Sequence, residues 1–377
     1  MRPATTAHST IVFAGGGTGG HLYPALAIAE MVKIQSHDSA IVFIGTAGKI
    51  EARVVPSAGY QFETIWISGF RRTLSWSLLL FPLKVCVSLV QSLVLLRRLR
   101  PSVVVGTGGY VCGPPVFMAS MLGIPTVLQE QNSYPGVTTR LLAAKADHVF
   151  ISFENTRRYL PGQAHITLAG NPVRAAVGNV GRDESATFFG INPALKTILV
   201  FGGSLGATSI NTAMKDHLQE IMQESVQLLW QTGKNDLGMA QRAVDSLTRA
   251  AQERIKVLPF IDRMDMALGA CDFAICRSGA STLAELALAG VPAILIPYPH
   301  AAADHQTENA RAVVACGAAE LCPDHEAGSK LVAFVNGFLH DETHRRQMSR
   351  QMRTLARPDA ARRIADTVIS FSRHANA

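Results

Sequence analysis

The residues with the clearest capacity for chemistry lie in a glycine-rich stretch near the N-terminus, from Gly15 to His21. A short apolar run at 11–14 precedes it, and an apolar helical pattern begins at Leu22. A strand, a glycine loop and a helix in this order present backbone N–H groups to a ligand at the helix N-terminus. Histidine side chains titrate near neutral pH, so His21 is a candidate proton acceptor beside this loop. The loop alone leaves open a surface or capping role for His21.

The composition indicates a two-domain protein with an anionic partner. A chain of 377 residues suggests two domains, and 48% hydrophobic residues suffice for large buried cores. The net charge of +7 and the pI near 9.2 favour a nucleotide, nucleic acid or anionic lipid as partner. Without a long basic run, and with only 7% aromatic residues, a nucleic-acid groove is poorly supported.

The six cysteines form neither a CxxC pair nor a zinc-ligand spacing, which is typical of a reducing compartment. The apolar run before the first glycine loop is too short for the core of a signal peptide. We therefore expect a cytoplasmic protein.

Several apolar runs that end in glycine or polar residues predict an open parallel sheet with ligands at its carboxyl edge. The first half has such runs at 40–44, 102–105, 125–128 and 146–150, and the third is followed by Gln129–Asn132. No acidic residue ends the run at 40–44, which argues against a dinucleotide-dependent oxidoreductase. Gly170–Arg174 has the composition of a connector, and we place the domain boundary there.

The same plan restarts in the second half, with a strand at 197–201 and a glycine turn at 202–207. Further strands are predicted at 227–230, 255–258 and 271–276. A helix over 283–289 should begin at a Ser281 or Thr282 cap, able to receive a phosphate, and end at Gly290. Glu285, one turn in, is either a helix-dipole partner or a ribose ligand. The sequence thus predicts an α/β protein with two doubly wound halves.

Residues 66–100 combine apolar and basic side chains. Pro82, Lys84 and Gln91 interrupt the apolar run, so a membrane span is disfavoured, and a buried helix is expected over Val85–Leu96. Arg71–Lys84 suits a patch that enters an anionic bilayer interface, although an internal helical hairpin is an open alternative. The patch residues are Arg71, Arg72, Trp76, Leu79, Leu80 and Phe81.

Taken together, the motifs resemble the MurG family of bacterial N-acetylglucosaminyltransferases. They are GGGTGGH at 15–21, GTGGY at 106–110, EQN at 130–132, GNPVR at 170–174, GGSLGA at 202–207, CRSGAST at 276–282 with Glu285, and DHQ at 304–306. The resemblance implies the GT-B architecture, two doubly wound Rossmann-like domains that face each other across a cleft. Residues 1–173 would bind the acceptor and the membrane, residues 174–356 would bind the donor, and a C-terminal helix at about 357–377 would pack back on the first domain.

The implied reaction transfers GlcNAc, with inversion, from UDP-GlcNAc to the C4 hydroxyl of MurNAc in undecaprenyl-pyrophosphoryl-MurNAc-pentapeptide (lipid I). The product would be lipid II for peptidoglycan synthesis. His21 would be the catalytic base, and Gly108, Gly109 and Tyr110 would lie near the acceptor pyrophosphate. Glu285 would hold the ribose, the Ile261 backbone the uracil, and Arg174 would reach the nucleotide from the connector. The full donor set implied is Thr18, Gly19, Gly20, Asn132, Arg174, Ser204, Ile261, Arg277, Ala280, Ser281, Thr282, Leu283, Ala284, Glu285 and Gln306.

One position departs from the family pattern, because Leu205 replaces the usual glutamine of the second glycine turn. Leucine cannot donate to a sugar or phosphate, so any contact that the glutamine side chain makes is lost and Leu205 is left out of the donor set, while the backbone of the turn should still cradle the ligand. No Asp-x-Asp motif occurs in the chain. We therefore expect no required cofactor or metal, and a stimulatory divalent cation stays open.

The resemblance also implies partners and a location. These are UDP-GlcNAc, lipid I, an anionic membrane surface and other cell-wall synthesis or division proteins, without nucleic acid. The protein would be peripheral on the cytoplasmic face of the bacterial inner membrane. Two alternatives stay open: a UDP-GlcNAc epimerase or hydrolase of the same fold, and a non-catalytic nucleotide-sugar-binding partner.

Overall fold

Two parallel sheets organise the chain in a computed structural model that describes residues 9–69, 81–173, 177–203 and 205–374. The chain divides into two compact units, residues 1–173 with 358–377, and residues 174–357. Each unit contains one of the sheets, and every strand pairing in the described residues is parallel. The prediction of an α/β protein with two doubly wound halves is confirmed.

The sheet of the first unit has seven strands in the described residues, in the order β3-β2-β1-β4-β5-β6-β7. The apolar, β-branched runs that form its centre are buried on both faces, as is usual for parallel strands. The strands are β1 Thr10–Ala14, β2 Ala40–Gly45, β3 Gln61–Thr64, β4 Val103–Gly106, β5 Thr126–Glu130, β6 His148–Ile151 and β7 Ile166–Leu168.

Helices cover both faces of this sheet. They are α1 Gly19–Gln35, α2 Glu51–Ser57, α3 Phe81–Leu99, α4 Gly113–Met121 and α5 Val137–Leu142. The C-terminal helix, Ala360–His374, belongs to this unit as well, and its Ile364 and Val368 are fully buried in the core with Phe13. Burial of such side chains contributes about 1.5–3 kcal/mol each, so the end of the chain stabilises the unit at its beginning.

The sheet of the second unit has six strands in the described part of the chain, in the order β10-β9-β8-β11-β12-β13. They are β8 Lys196–Phe201, β9 Val226–Gln231, β10 Ile255–Leu258, β11 Phe273–Cys276, β12 Ala293–Leu295 and β13 Ala319–Leu321. The helices are α6 Arg182–Phe189, α7 Thr208–Ile221, α8 Leu237–Asp245, α9 Arg249–Gln252, α10 Met264–Ala270, α11 Ala280–Ala289, α12 His305–Val314, α13 Ala327–His340 and α14 Glu342–Thr354.

Two sequence predictions about helices meet different outcomes. Gly290 ends α11 in the left-handed conformation (φ 68°), and its N–H bonds back to Ala287, so the predicted C-cap is confirmed. The predicted N-cap is wrong: α11 begins at Ala280 with Gly279 as its cap, so Ser281 and Thr282 lie inside the first turn. Among the described helices, none combines the length and the hydropathy that a membrane crossing needs.

Candidate active site

In the first unit, three loops meet at the carboxyl edge of the sheet. Ala14 at the end of β1 pairs with Gly106 at the end of β4, and Gly106 pairs in turn with Leu128 in β5. The loops that follow these strands are therefore neighbours. This register brings together the glycine loop, the second glycine motif and the residues after β5.

His21 lies in the first turn of α1 and is held from two sides. Its Nδ1 is 3.0 Å from the side-chain oxygen of Gln131, which follows β5. Its backbone carbonyl accepts the hydroxyl of Thr107, which follows β4, at 2.9 Å. Gln131 was not among the predicted site residues. The sequence offered one signal for it, its place between Glu130 and Asn132 in the EQN motif.

Gly108 and Gly109 lie directly against the His21 ring. Both have positive φ, 98° and 77°. A Cβ on Gly108 would be 2.7 Å from His21 Nδ1, and a Cβ on Gly109 would be 2.6 Å from the carbonyl oxygen of Gly16. Glycine is required here both for the backbone conformation and for the close approach. The predicted contact of these glycines with the acceptor stays a prediction, and their contact with His21 is a finding.

A fully buried glutamate, Glu51, supports the glycine loop from the start of α2. One carboxylate oxygen accepts the Gly17 N–H at 3.0 Å, and the other accepts the N–H and hydroxyl of Thr46 at 3.1 and 2.7 Å. The phenol of Tyr110 belongs to the same group. Burial raises the pKa of Tyr110, a hydrogen bond with Thr46 opposes the rise, and the negative charge of Glu51 adds to it. Sequence reasoning missed the role of Glu51.

Glu130, the first residue of the EQN motif, is a structural carboxylate. Only 2% of it is exposed. Its oxygens accept the backbone and side-chain N–H groups of Asn132 at 3.0 and 3.2 Å, the Gly136 N–H at 3.0 Å and the Thr139 hydroxyl at 2.6 Å. Glu130 therefore shapes the loop that carries Asn132, whose contact with the donor sugar stays a prediction.

In the second unit, the loops after β8, β9, β11 and β12 meet in the same way. Phe201 pairs with both Gln231 and Cys276, and Cys276 pairs with Leu295. Helix α11 begins at this edge. Leu283 donates to the Gly279 carbonyl at 3.0 Å, so the amides of Ala280, Ser281 and Thr282 precede the first hydrogen bond within the helix. Such amides attract an anion.

The predicted residues around α11 share this edge. The Ser278 hydroxyl donates to the Gln306 carbonyl at 2.8 Å, and the Gln306 side-chain oxygen accepts the Tyr298 N–H at 3.0 Å. Gln306 therefore joins the loops after β11 and β12. Thr282, Ala284 and Glu285 lie on the first two turns of α11 and are half-buried, whereas Leu283 is buried. Their donor contacts stay predictions.

The guanidinium of Arg277 is held by the fold. It donates to the carbonyls of Ile296 and Pro297 at 3.0 and 2.9 Å, to the Ser209 hydroxyl at 2.8 Å and to the carboxylate of Asp324. These bonds give Arg277 a structural role that the sequence did not indicate. The predicted contact of Arg277 with the donor stays a prediction.

Gln231, at the end of β9, links two loops that were predicted to hold the donor. It is 1% exposed. Its side-chain amide donates to the Gly203 carbonyl at 2.9 Å, and its oxygen accepts the Ile261 N–H at 2.8 Å. The Ile261 N–H already has this partner. A uracil N–H that binds to the Ile261 backbone would therefore donate to the carbonyl oxygen of Ile261. The sequence analysis did not single out Gln231.

Some predicted positions lie outside the described residues: Arg71, Arg72, Trp76, Leu79, Leu80, Arg174 and Ser204. Leu205, which departs from the family pattern, is 85% exposed. Thr18 is the N-cap residue of α1, and Gly19 and Gly20 open the helix. Within the described ranges, no group of three or more His, Cys, Asp or Glu side chains could hold a metal ion.

Comparison with known proteins agrees with the architecture of both units. The protein-family model described as the glycosyltransferase family 28 N-terminal domain matches residues 11–151. The model described as the glycosyltransferase family 28 C-terminal domain matches residues 197–364.

Curated relatives cover nearly the whole chain. A protein of Flavobacterium psychrophilum is 39% identical over 362 residues, which are 96% of this chain and 97% of that relative. Its name is UDP-N-acetylglucosamine–N-acetylmuramyl-(pentapeptide) pyrophosphoryl-undecaprenol N-acetylglucosamine transferase. A protein of the same name from Prosthecochloris aestuarii is 41% identical over 367 residues, 96% of this chain and 99% of that relative. The crystal structure of Acinetobacter baumannii MurG matches with a TM-score of 0.75 and 28% identity, over 96% of this chain and 99% of that one.

Proposed function

This chain belongs to the glycosyltransferase family 28 N-acetylglucosamine transferases, the MurG family, and on that premise we propose how its residues carry out the transfer. The protein is a GT-B glycosyltransferase that moves GlcNAc from UDP-GlcNAc to lipid I and forms lipid II. The observation that carries the residue assignment is the Gln131 contact with His21 Nδ1 at 3.0 Å, which orients an imidazole at the ligand edge of the first unit.

In the proposed mechanism, His21 accepts the proton of the C4 hydroxyl of MurNAc as that oxygen attacks C1 of GlcNAc. The new C1–O bond forms on the face opposite the UDP group, the bond from C1 to the UDP oxygen breaks, and the configuration at C1 inverts. General-base assistance of this kind contributes about 10²–10⁴-fold. The proton then leaves His21 for solvent.

The second unit stabilises the departing UDP. Negative charge grows on the pyrophosphate of UDP as the bond from C1 to the UDP oxygen breaks. The backbone amides at the start of α11, those of Ala280, Ser281 and Thr282, are suited to that charge. Helix and backbone donors supply this stabilisation without a required metal ion. A transfer rate that collapses on addition of a chelator and returns with Mg²⁺ would overturn the metal-independent assignment.

The alternative of an epimerase or hydrolase needs an acid in the first unit. Glu130 is a poor candidate, because four donors occupy its carboxylate. The imidazole of His21, held by Gln131, suits deprotonation of an acceptor hydroxyl.

The deciding experiment measures transfer of labelled GlcNAc from UDP-GlcNAc to a lipid I analogue by wild type, His21→Ala and His37→Ala. His37 is an exposed histidine after α1 and serves as the matched control. We expect a β-linked disaccharide from wild type and His37→Ala, and a rate at least ~10²-fold lower for His21→Ala with UDP binding retained. Absence of product, or an altered UDP-sugar formed without acceptor, would overturn the assigned activity. A His21→Ala variant that transfers GlcNAc nearly as fast as wild type would overturn the assignment of His21 as the base.

The acceptor carries a polyprenyl chain, so the enzyme must work at a membrane surface, and we assign it to the cytoplasmic face of the bacterial inner membrane. Support comes from α3, which exposes Leu83, Val90 and Val94 on one face. Lys84 lies near its start, and Arg97 and Arg98 lie in its last turn. An apolar face flanked by cations suits an anionic bilayer interface.

Vesicle binding tests this location. A Val90→Ser/Val94→Ser variant should bind anionic vesicles more weakly and lose activity on full-length lipid I, but keep its activity on a short-chain soluble acceptor. Ile34→Ser removes an equally exposed apolar side chain from α1, and it should change neither the vesicle binding nor the activity on full-length lipid I. Equal loss on both acceptors would show that the α3 face supports folding instead.

A further inference from the structure

We propose that Gln131 is a positioning residue that fixes the tautomer of His21, with the proton on Nδ1 and the lone pair on Nε2. The inference deepens the proposed function, on which it rests for its catalytic meaning. It follows from the direction of the hydrogen bonds in a series of buried polar side chains that leads to His21.

The orientation of the Gln131 amide is set by acceptors on one side. Its nitrogen is 2.7 Å from the Thr107 carbonyl oxygen and 3.1 Å from the Gln129 carbonyl oxygen. Carbonyl oxygens only accept, so the group that faces them must be the NH₂ group. Gln131 is 2% exposed, so the reversed amide would place its oxygen against other oxygens without water to intervene. The oxygen of Gln131 therefore faces His21.

A second line of bonds leads to the same orientation. The Ser152 hydroxyl donates its proton to the Glu130 carbonyl at 2.9 Å, so its oxygen accepts from the Gln129 amide at 3.3 Å. This bond places the NH₂ group of Gln129 toward Ser152 and the side-chain oxygen of Gln129 toward the Gln131 amide. The hydrogen bonds from Gln131 through Gln129 to Ser152 thus all donate in the same direction, and each bond strengthens the next one.

The consequence for His21 is direct. Its Nδ1 is 3.0 Å from an oxygen that can only accept, so the neutral ring carries its proton on Nδ1. The lone pair is then on Nε2, which is the atom that takes the proton of the acceptor hydroxyl. A carboxylate opposite Nδ1 would also stabilise the charged imidazolium. The neutral amide of Gln131 fixes the tautomer without adding that charge, which suits a base that must release its proton after each turnover.

The test combines nitrogen NMR of ¹⁵N-histidine-labelled protein with kinetics. His21 signals are assigned by their loss in His21→Ala, and spectra are recorded at pH about 8.5, above the ordinary titration range of histidine. In wild type we expect a protonated Nδ1 and an unprotonated Nε2. In Gln131→Met, which keeps the length but not the acceptor, the Nε2–H tautomer should increase. We also expect kcat to fall about tenfold, with the KM for UDP-GlcNAc within about twofold of wild type.

Gln227→Met is the matched control. Gln227 is also buried, and its amide bonds to Asn192 and Thr197, all within the second unit, whereas His21 belongs to the first unit. It should leave the His21 spectrum unchanged. A wild-type His21 with its proton on Nε2 would overturn the proposal, even if Gln131→Met did not fold. An unchanged tautomer and kcat in Gln131→Met would also overturn it. Because the spectrum needs no turnover, a correct tautomer without lipid II formation would contradict the proposed activity and leave the positioning intact.

Discussion

The buried carboxylate of Glu51 accepts the backbone N–H of Gly17 at 3.0 Å, so an anion behind the first glycine loop holds that loop in place. The same carboxylate accepts both donors of Thr46, which directly follows β2. The loop before His21 is thus tied to α2 and β2 as well as to its own strand and helix. A fixed loop is a precondition for a fixed base.

We predict that Glu51→Gln destabilises the first unit by about 2–3 kcal/mol, because its NH₂ group must face either the Gly17 donor or the Thr46 donors. The transfer rate should fall as the loop shifts. Urea unfolding followed by circular dichroism measures the first effect. Glu63→Gln is the control: Glu63 forms a partly exposed ion pair with Arg98, which should be worth less than about 1 kcal/mol. Equal losses in the two variants would show that Glu51 has no special role.

The sequence predicted the central strands because each is a continuous apolar run buried on both faces. It gave no strand at Gln61–Thr64 or Ile166–Leu168, the two edges of the first sheet. These edge strands are short and only partly buried, so their side chains show no unbroken apolar run. The start of α11 was misplaced because serine and threonine are common N-caps, whereas here Gly279 takes that position.

The candidate site shows a similar limit. Motif spacing placed His21, Gly108 and Gly109 at one sheet edge, as parallel topology requires. Three further residues act through contacts that are distant in sequence. Glu51 is separated from its partner Gly17 by 34 positions, Gln131 from His21 by 110, and Gln231 from Ile261 by 30. Their side-chain types carry no local signature, so only the folded chain reveals what they hold. The same is true of Arg277, whose bonds to Ser209 and Asp324 join distant segments.

Gly109→Ala should lower kcat by about 10²-fold, because its Cβ would meet the Gly16 carbonyl and lie 3.3 Å from the His21 ring. Gly59→Ala is the control for an alanine at a glycine with positive φ. Gly59 has nearly the same φ, 81° against 77°, but open space around its Cβ. Gly59→Ala should lose about 1–2 kcal/mol of stability. Gly109→Ala should lose more stability, because its ψ of 169° belongs to a conformation that only glycine adopts readily, and it should lose activity in addition. Steady-state kinetics and thermal unfolding of the pair test this, and similar activity in both would refute the close-contact argument.

Gln231→Met should weaken binding of UDP about tenfold, because the Gly203 turn and the Ile261 loop lose the amide that joins them. The KM for the acceptor should stay near the wild-type value. Isothermal titration with UDP measures the change, and Gln227→Met controls for the loss of a buried glutamine in the same sheet. If both variants bind UDP equally weakly, the effect comes from general destabilisation of the second unit.

The pH dependence of stability should report on His148 in β6. Burial lowers the pKa of His148, and the nearby His165 lowers it further. Below pH ~6.5 the unfolded chain binds a proton at this residue while the folded chain does not, so the stabilisation present above that pH is lost as the pH falls through the folded pKa. In His148→Gln, whose amide can still reach Thr167, the urea midpoint should therefore fall less than in wild type between pH ~7 and ~5. His37→Gln, at an exposed histidine, should follow the wild-type curve, and parallel curves for all three proteins would show that His148 does not contribute to acid sensitivity.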